Sequence, residues 1–317
     1  DAKAEKDYYD SISPDMTELY DKFDKVLHES KFKQNIIDEY GNTFLNQIEI
    51  SLKTFDSKIK NLLKREIELK NDYTKLTAGA KIKYEGKDYN LAGLGPFHSH
   101  TNRDIRKKSY EARYRWFKNN EQELDNIYDK LVKLRHKIAV TLGYENFIKL
   151  GYDRMGRSDY GPEEVSNFRK QIVEQVVPIV SKLHDQKKDI LGLDKLYFYD
   201  GINFRDGDPK PKGTPKELIK AAQEMYHELS PETGEFFDKM VNEELMDLVN
   251  RDGKRPGGFC TSFPKYDRPY IFSNFNGTDH DITVLTHEAG HAFQNYSSTH
   301  LPLVNYHWPT MEAAEIH

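Results

Sequence analysis

Over roughly the first 250 positions, apolar residues recur at the three- and four-residue intervals of amphipathic helices. In the segment SPDMTELYDKFDKVLHES, Ser13 is the expected cap and Pro14 the first helical residue. Met16, Leu19, Tyr20, Phe23, Val26 and Leu27 then form one stripe. The spacing predicts another helix from Phe44 to about Leu76, with Ile48, Leu52, Phe55, Ile59 and Leu62 on its inner side. Both stripes are read as core packing. At AKIKYEGKDYNLAGL the period changes: Ile82, Tyr84, Tyr89 and Leu91 flank Glu85-Gly86-Lys87, which predicts a small hairpin. Thr101 or Asn102 then caps a helix of about 40 residues that ends near Gly143. Gly161-Pro162 opens a further helix, kinked at Pro178 and ended before Gly192. The capping box Thr214 to Glu217 starts another, and Ser230-Pro231 starts one that runs to near Leu248. After this the character switches. Two short strands, roughly 258–263 and 269–275, precede a turn at Asn276-Gly277, and Thr278 or Asp279 caps the next helix. The fold class expected is mainly α, with a small β-sheet.

The balance of 47 basic against 52 acidic residues, net −5, argues against a nucleic-acid binder. The basic stretch RKKSYEARYRWFKNN is followed by EQELD and reads as a surface helix. One cysteine, Cys260, excludes an intrachain disulfide and points to a reducing compartment. No apolar run is long enough to span a membrane as a helix. The chain opens DAKAEKDYYD, without an initiating Met or a signal-peptide pattern, and both ends are read as cut. His98 and His100 lie two apart in a loop, but no acidic or Cys partner is spaced with them, so they read as a plain loop.

The last helix carries the chemistry. In TVLTHEAGHAFQ, His287 and His291 lie four apart, one turn up the same helical face. Two imidazoles so placed can hold one zinc ion at about 2.0–2.1 Å. Glu288 projects about 100° round from His287. From there it reaches a water on the ion rather than the ion itself. Zinc lowers the pKa of such a water from about 15.7 to about 7, and Glu288 can take its proton as general base and pass it to a leaving amine. A catalytic zinc has a third protein ligand and an open position. Gln294 and Ser297 stand where a metzincin has Gly and its third His. His300, His307, Glu312 and Glu315 are the remaining candidates, and spacing alone does not choose between the two glutamates.

HEAGHAFQ followed by WPTMEAAEIH is similar to the zinc oligopeptidases of the thimet oligopeptidase and oligoendopeptidase F type. LGYENFIKLGYDRMGRSDY, PGGFCTSF and RPYIFSNFNGTDHDITVLTHE agree with it, and the resemblance is strongest from about Arg103 onward. It implies a zincin-type helical fold with a channel enclosing one zinc ion and a small sheet bordering the cleft. Residues 1–100 would be an N-terminal helical region with the hairpin near 80–92, and 101–317 the first part of the catalytic zinc-peptidase domain. In that family the third ligand starts a Glu-x-x-Ser pattern, which implies Glu315 as ligand and Glu312 as a neighbour hydrogen-bonding a ligating histidine. The segment GGFC implies an edge strand that hydrogen-bonds an extended substrate, through Gly257, Gly258, Phe259 and Cys260. The expectation is a cytoplasmic zinc metalloendopeptidase of short oligopeptides, without nucleic-acid or membrane partners. Members of the family continue well past Glu315. The chain is therefore expected to be a portion, inactive or less active alone, whose other partner is the missing C-terminal part as a second chain. The alternatives are a non-catalytic peptide-binding fragment and a carboxydipeptidase or thermolysin-like peptidase.

Overall fold

The structure, a computed structural model, describes residue 4 and residues 7–316. It divides into two compact units, residues 1–73 with 122–176 and residues 74–121 with 177–317.

In the first unit a π-helical turn, Tyr8–Ile12, runs directly into the helix Ser13–His28, so Ser13 caps nothing. The predicted stripe of that helix is not core. Among the described residues nothing covers Leu19, Tyr20, Phe23 or Val26, all more than half exposed, and the buried position is Asp21, paired with Lys25 at 2.6 Å. The helix expected from Phe44 to Leu76 is two helices, Asn42–Thr54 and Lys60–Ala78. Phe55 turns extended between them, and the Asp56 carboxylate accepts the Lys58 amide, which starts a new turn. Ile48 and Ile59 are nevertheless fully buried, as the pattern predicts. Ile59, Ile138, Ala139 and Leu150 make the centre of this unit. Glu66 is fastened beside it by Arg135 at 2.7 Å and Arg154 at 3.0 Å.

The 40-residue helix is also two, Arg103–Asn119 and Glu121–Thr141. Asn120 breaks it by donating its side-chain amide to the Trp116 carbonyl at 2.7 Å. Asn102 is the cap, accepting the Asp104 amide at 2.9 Å. At the expected kink, Pro178, the helical run is divided into Pro162–Gln171, a π-helical turn and Val177–Leu191. Pro178 sits in the first turn of Val177–Leu191, directly after the π-helical turn, Ile172–Val176, and the carbonyl it cannot pair with falls in that wider turn.

The second unit holds a hairpin and a three-stranded sheet. Strands β1 (Ile82–Tyr84) and β2 (Lys87–Tyr89) pair antiparallel, with Ile82 opposite Tyr89. Ile82 and Tyr84 bury with Leu91, Leu94 and Ala112. The helix Pro231–Asn242 stops short of the expected Leu248, because Met246–Val249 is a strand, β3. With β4 (Phe259–Phe263) and β5 (Arg268–Phe275) it forms a sheet in the order β3-β5-β4, β3 parallel and β4 antiparallel to β5. Every second residue of β5 is buried, as a strand with one covered face requires. Ile271 and Phe275 meet Leu285, Ala289 and Ala292 of the helix His280–Ser298, and Phe236, Phe237 and Met240 close the same core. Lys254 clamps the loop before β4. Its ammonium, buried over the Phe272 ring, donates to the Asp247 carboxylate at 2.9 Å and the Val249 carbonyl at 3.0 Å. Arg251 first, with Lys254, holds the Asp247 carboxyl down to about 2.

Candidate active site

The orientation of the helix His280–Ser298 follows from its apolar positions. Leu285, Ala289 and Ala292 sit at i, i+4 and i+7 and face the sheet. At 100° per residue, His287 and His291 then fall on a face turned away from that core, and Glu288 on the flank between the two. Glu288 and His291 are both buried, and the His287 side chain is the more open of the two histidines. The start of the helix is set by an unforeseen residue. Neither Thr278 nor Asp279 caps it with its side chain. The buried Asp281 carboxylate instead accepts the Asn276 amide at 3.0 Å and the Gly277 amide at 2.8 Å. Gly277, with φ +87°, makes the turn.

Glu315 follows the short helix Met311–Ala314 and returns to the histidines. Its Oε2 lies 3.2 Å from His287 Nε2 and its Oε1 3.8 Å from His291 Nε2, and the two Nε2 atoms are 3.0 Å apart. All three donor atoms fall within 4.8 Å of one another. Ligands at about 2.1 Å from a tetrahedral zinc are about 3.4 Å apart, close to the separations of the Glu315 carboxylate oxygens and the two nitrogens, and two nitrogens with a carboxylate suit this ion. Glu312 is half-buried one turn before Glu315. His317, the third place of the expected Glu-x-x-Ser pattern, lies outside the described residues. The other histidines go elsewhere. His300 Nδ1 is 2.7 Å from the Ser297 carbonyl, and His307 Nε2 is 3.1 Å from the Leu301 carbonyl.

The carboxyl of Glu288 is pushed up by burial and by Glu315, and drawn down by His287 and the Cys260 amide. The Cys260 thiol packs against the core, burial with the nearby Glu288 charge pushes it up to about 12, and it is not among the converging donors. Phe259 stacks on Phe272 at 4.9 Å. Gly257 has φ +96° and open space around it.

Gly258 has a role that the sequence reading missed. A Cβ there would stand 2.9 Å from Val284 Cγ1 and 3.3 Å from Glu288 Oε1, so this glycine sets how closely β4 lies on the histidine helix. Gly258→Ala is expected to lower stability by about 1–3 kcal/mol through overpacking. Val284→Ala in the same chain should restore most of it, and paired thermal melts check this.

His98, read from the sequence as a loop residue, ends the short helix Gly95–His98 and stacks on Tyr110 at 4.0 Å. Burial first, then the charge of Arg113, pushes it down to about 4 from its ordinary 6.5. The folded state therefore favours the neutral ring. Its contribution to stability is complete above pH 6.5 and is lost as the pH falls toward 4, with a ceiling of about 3 kcal/mol that residual solvent exposure lowers. His98→Phe, which keeps the stacked ring, should flatten the fall of the melting temperature between pH 7 and 4 relative to the parent chain.

Cavity size does not single out the donor cluster. A cavity of about 920 Å³ in the first unit, lined by Lys53, Tyr144, Lys149 and Asp153 among others, contains none of these residues.

Three donor atoms thus lie together beside β4, from the helix His280–Ser298 and from the segment that ends at Glu315. Residues 97–317 match Peptidase family M3, and residues 1–55 match the Peptidase M3 N-terminal domain; the chain belongs to peptidase family M3. It is 26 % identical over 219 residues to an oligoendopeptidase F homolog of Borreliella burgdorferi, covering 66 % of this chain and 35 % of that protein. It is 25 % identical over 233 residues to the chromosomal oligoendopeptidase F of Lactococcus lactis subsp. cremoris, covering 72 % and 36 %. Among solved structures it is similar to Pz peptidase A with an inhibitor, at 46 % identity and TM-score 0.97, over 99 % of this chain and 56 % of that one. A Bacillus anthracis oligoendopeptidase F structure matches at 44 % identity and TM-score 0.96, over 99 % and 58 %. The chain thus spans about a third of these curated relatives and somewhat over half of these structures. Among the described residues no helix is long and apolar enough to cross a membrane.

Proposed function

We propose that this chain carries the metal site of a zinc metalloendopeptidase that hydrolyses peptide bonds in short oligopeptides. His287, His291 and Glu315 are the ligands and Glu288 is the general base. The observation that carries this reading is the convergence of three donors, two from a helix and one 24 residues after the second of them, at the spacing of zinc ligands. Zinc bound there supplies a Lewis acid for the scissile carbonyl and lowers the pKa of a water. Glu288 lies off the donor face, where its carboxylate can accept a proton and hand it to the departing amine. Among the described residues β4 pairs only with β5, which leaves its other edge to an extended peptide added as a strand along Gly257–Cys260. The printed names of the relatives, oligoendopeptidase F, agree with short peptides as substrates. Glu312 is assigned to orient a ligating histidine, residues 101–317 to the catalytic domain, and the cytoplasm to its location.

The test is a full-length form of the enzyme given peptides blocked at both ends. Internal cleavage that stops on chelation and returns with zinc is expected. Release of C-terminal dipeptides only, from unblocked peptides, would make it a carboxydipeptidase. A zinc-loaded protein that cuts nothing would leave only peptide binding.

A further inference from the structure

The proposed third ligand arrives on a weak element. Met311–Ala314 is a single helical turn without a side-chain cap, and the Glu315 side chain is 61 % exposed. One turn of helix does not hold itself in water, so the geometry at Glu315 depends on what fixes the segment before it. That segment is pinned to two elements of the second unit. The first pin is the histidine helix itself. Asn295, 2 % exposed, donates its side-chain amide to the His307 carbonyl at 3.1 Å, and His307 turns its Nε2 back to the Leu301 carbonyl at 3.1 Å. The second pin is the edge strand. Trp308 donates its indole N–H to the Ser262 hydroxyl on β4 at 3.0 Å, across 46 positions of sequence.

From this geometry we infer that Trp308 and Ser262 are positioning residues for the metal site, which set where Glu315 meets His287 and His291. The inference rests on the reading of that cluster as a zinc site. Strand β4 then acts at both ends: Gly258 abuts Glu288, and Ser262 holds the segment that delivers Glu315. An indole held by packing alone could rotate and slide. The bond to a strand hydroxyl fixes its orientation, and Glu315 follows only seven residues later.

The experiment uses the full-length form of the enzyme. Zinc affinity is measured by competition with a chromophoric chelator for the parent enzyme, Trp308→Phe, Ser262→Ala and the double variant, beside the melting temperature of each without metal. Trp308→Phe keeps an aromatic ring but removes the donor together with part of the indole's bulk, and Ser262→Ala removes the same bond with the indole intact. Each single variant is expected to bind zinc about tenfold more weakly, as for other groups that orient ligands. The double variant should be no weaker than the singles, because one bond is lost in all three. Cobalt in place of zinc should show the altered coordination as a changed visible spectrum. Affinities within twofold of the parent, additive losses, or lowered melting with unchanged zinc affinity would each overturn the proposal. Should Trp308→Phe not fold, Ser262→Ala decides alone. A full-length parent enzyme that takes up no zinc sinks the metal reading and this inference with it; zinc uptake with unmoved variants sinks the inference alone.

Discussion

Glu288→Gln is expected to leave zinc in place and to lower kcat/KM for peptide hydrolysis by roughly a thousandfold, about 4 kcal/mol of barrier. The residue is buried against β4, with Oε1 beside Gly258 and the Cys260 amide near its carboxylate. Glutamine has the same shape, so the contact with the strand survives. An amide cannot take a proton as a carboxylate does, so the chemistry is lost while the packing stays. Its neighbours His287 and His291 keep their nitrogens, and metal content read by elemental analysis should match the parent enzyme. The two readouts belong together, since a variant that loses both metal and activity says nothing about a base. Activity within tenfold of the parent, with zinc retained, would move the proton transfer to another group.

The part of the site on one helix was readable from the sequence because its geometry is local. Residues four apart must share a face, whatever the rest of the fold does. That β4 borders the cleft was implied by the family resemblance of GGFCTSF, not by any local signal. The packing role of the glycine before β4 was not. Gly258 was expected beside a substrate strand, which nothing in the fold tests; in addition its missing Cβ leaves room for Val284 and Glu288. No sequence signal distinguishes those two uses of a glycine. The bond from Trp308 to Ser262 was equally invisible, because nothing local marks a partner that distant in the chain.

The helical periodicity found the helices and not their breaks. Apolar spacing continues across Asp56 and Asn120, and in each case a short polar side chain bonding to nearby backbone ends or restarts the helix. β3 was lost to the preceding helix, because Met246–Val249 is too short to show a period of its own. The stripe Leu19, Tyr20, Phe23 and Val26 is a correct helix and a wrong core. Amphipathicity shows that a face can be covered, not that the residues at hand cover it.

Glu315→Gln is expected to weaken zinc binding by about a hundredfold. Structural zinc sites draw about 10–16 kcal/mol from their ligands, so one of four contributes roughly 3 kcal/mol, which is a factor of over a hundred. Binding should weaken rather than vanish, because His287 and His291 sit on one rigid helix and keep their spacing of 3.0 Å without the glutamate. His291→Ala removes one of that pair and should leave no measurable zinc at micromolar concentrations. Glu312→Gln is the informative control. As a residue that orients a ligand it should cost about tenfold, less than the change at Glu315. The same chelator competition on all three variants reads the order directly. If Glu312→Gln proves the more damaging of the two, the glutamates exchange roles: the one-turn helix must then rotate on metal binding, and the contact between Glu315 and His287 belongs to the metal-free protein only.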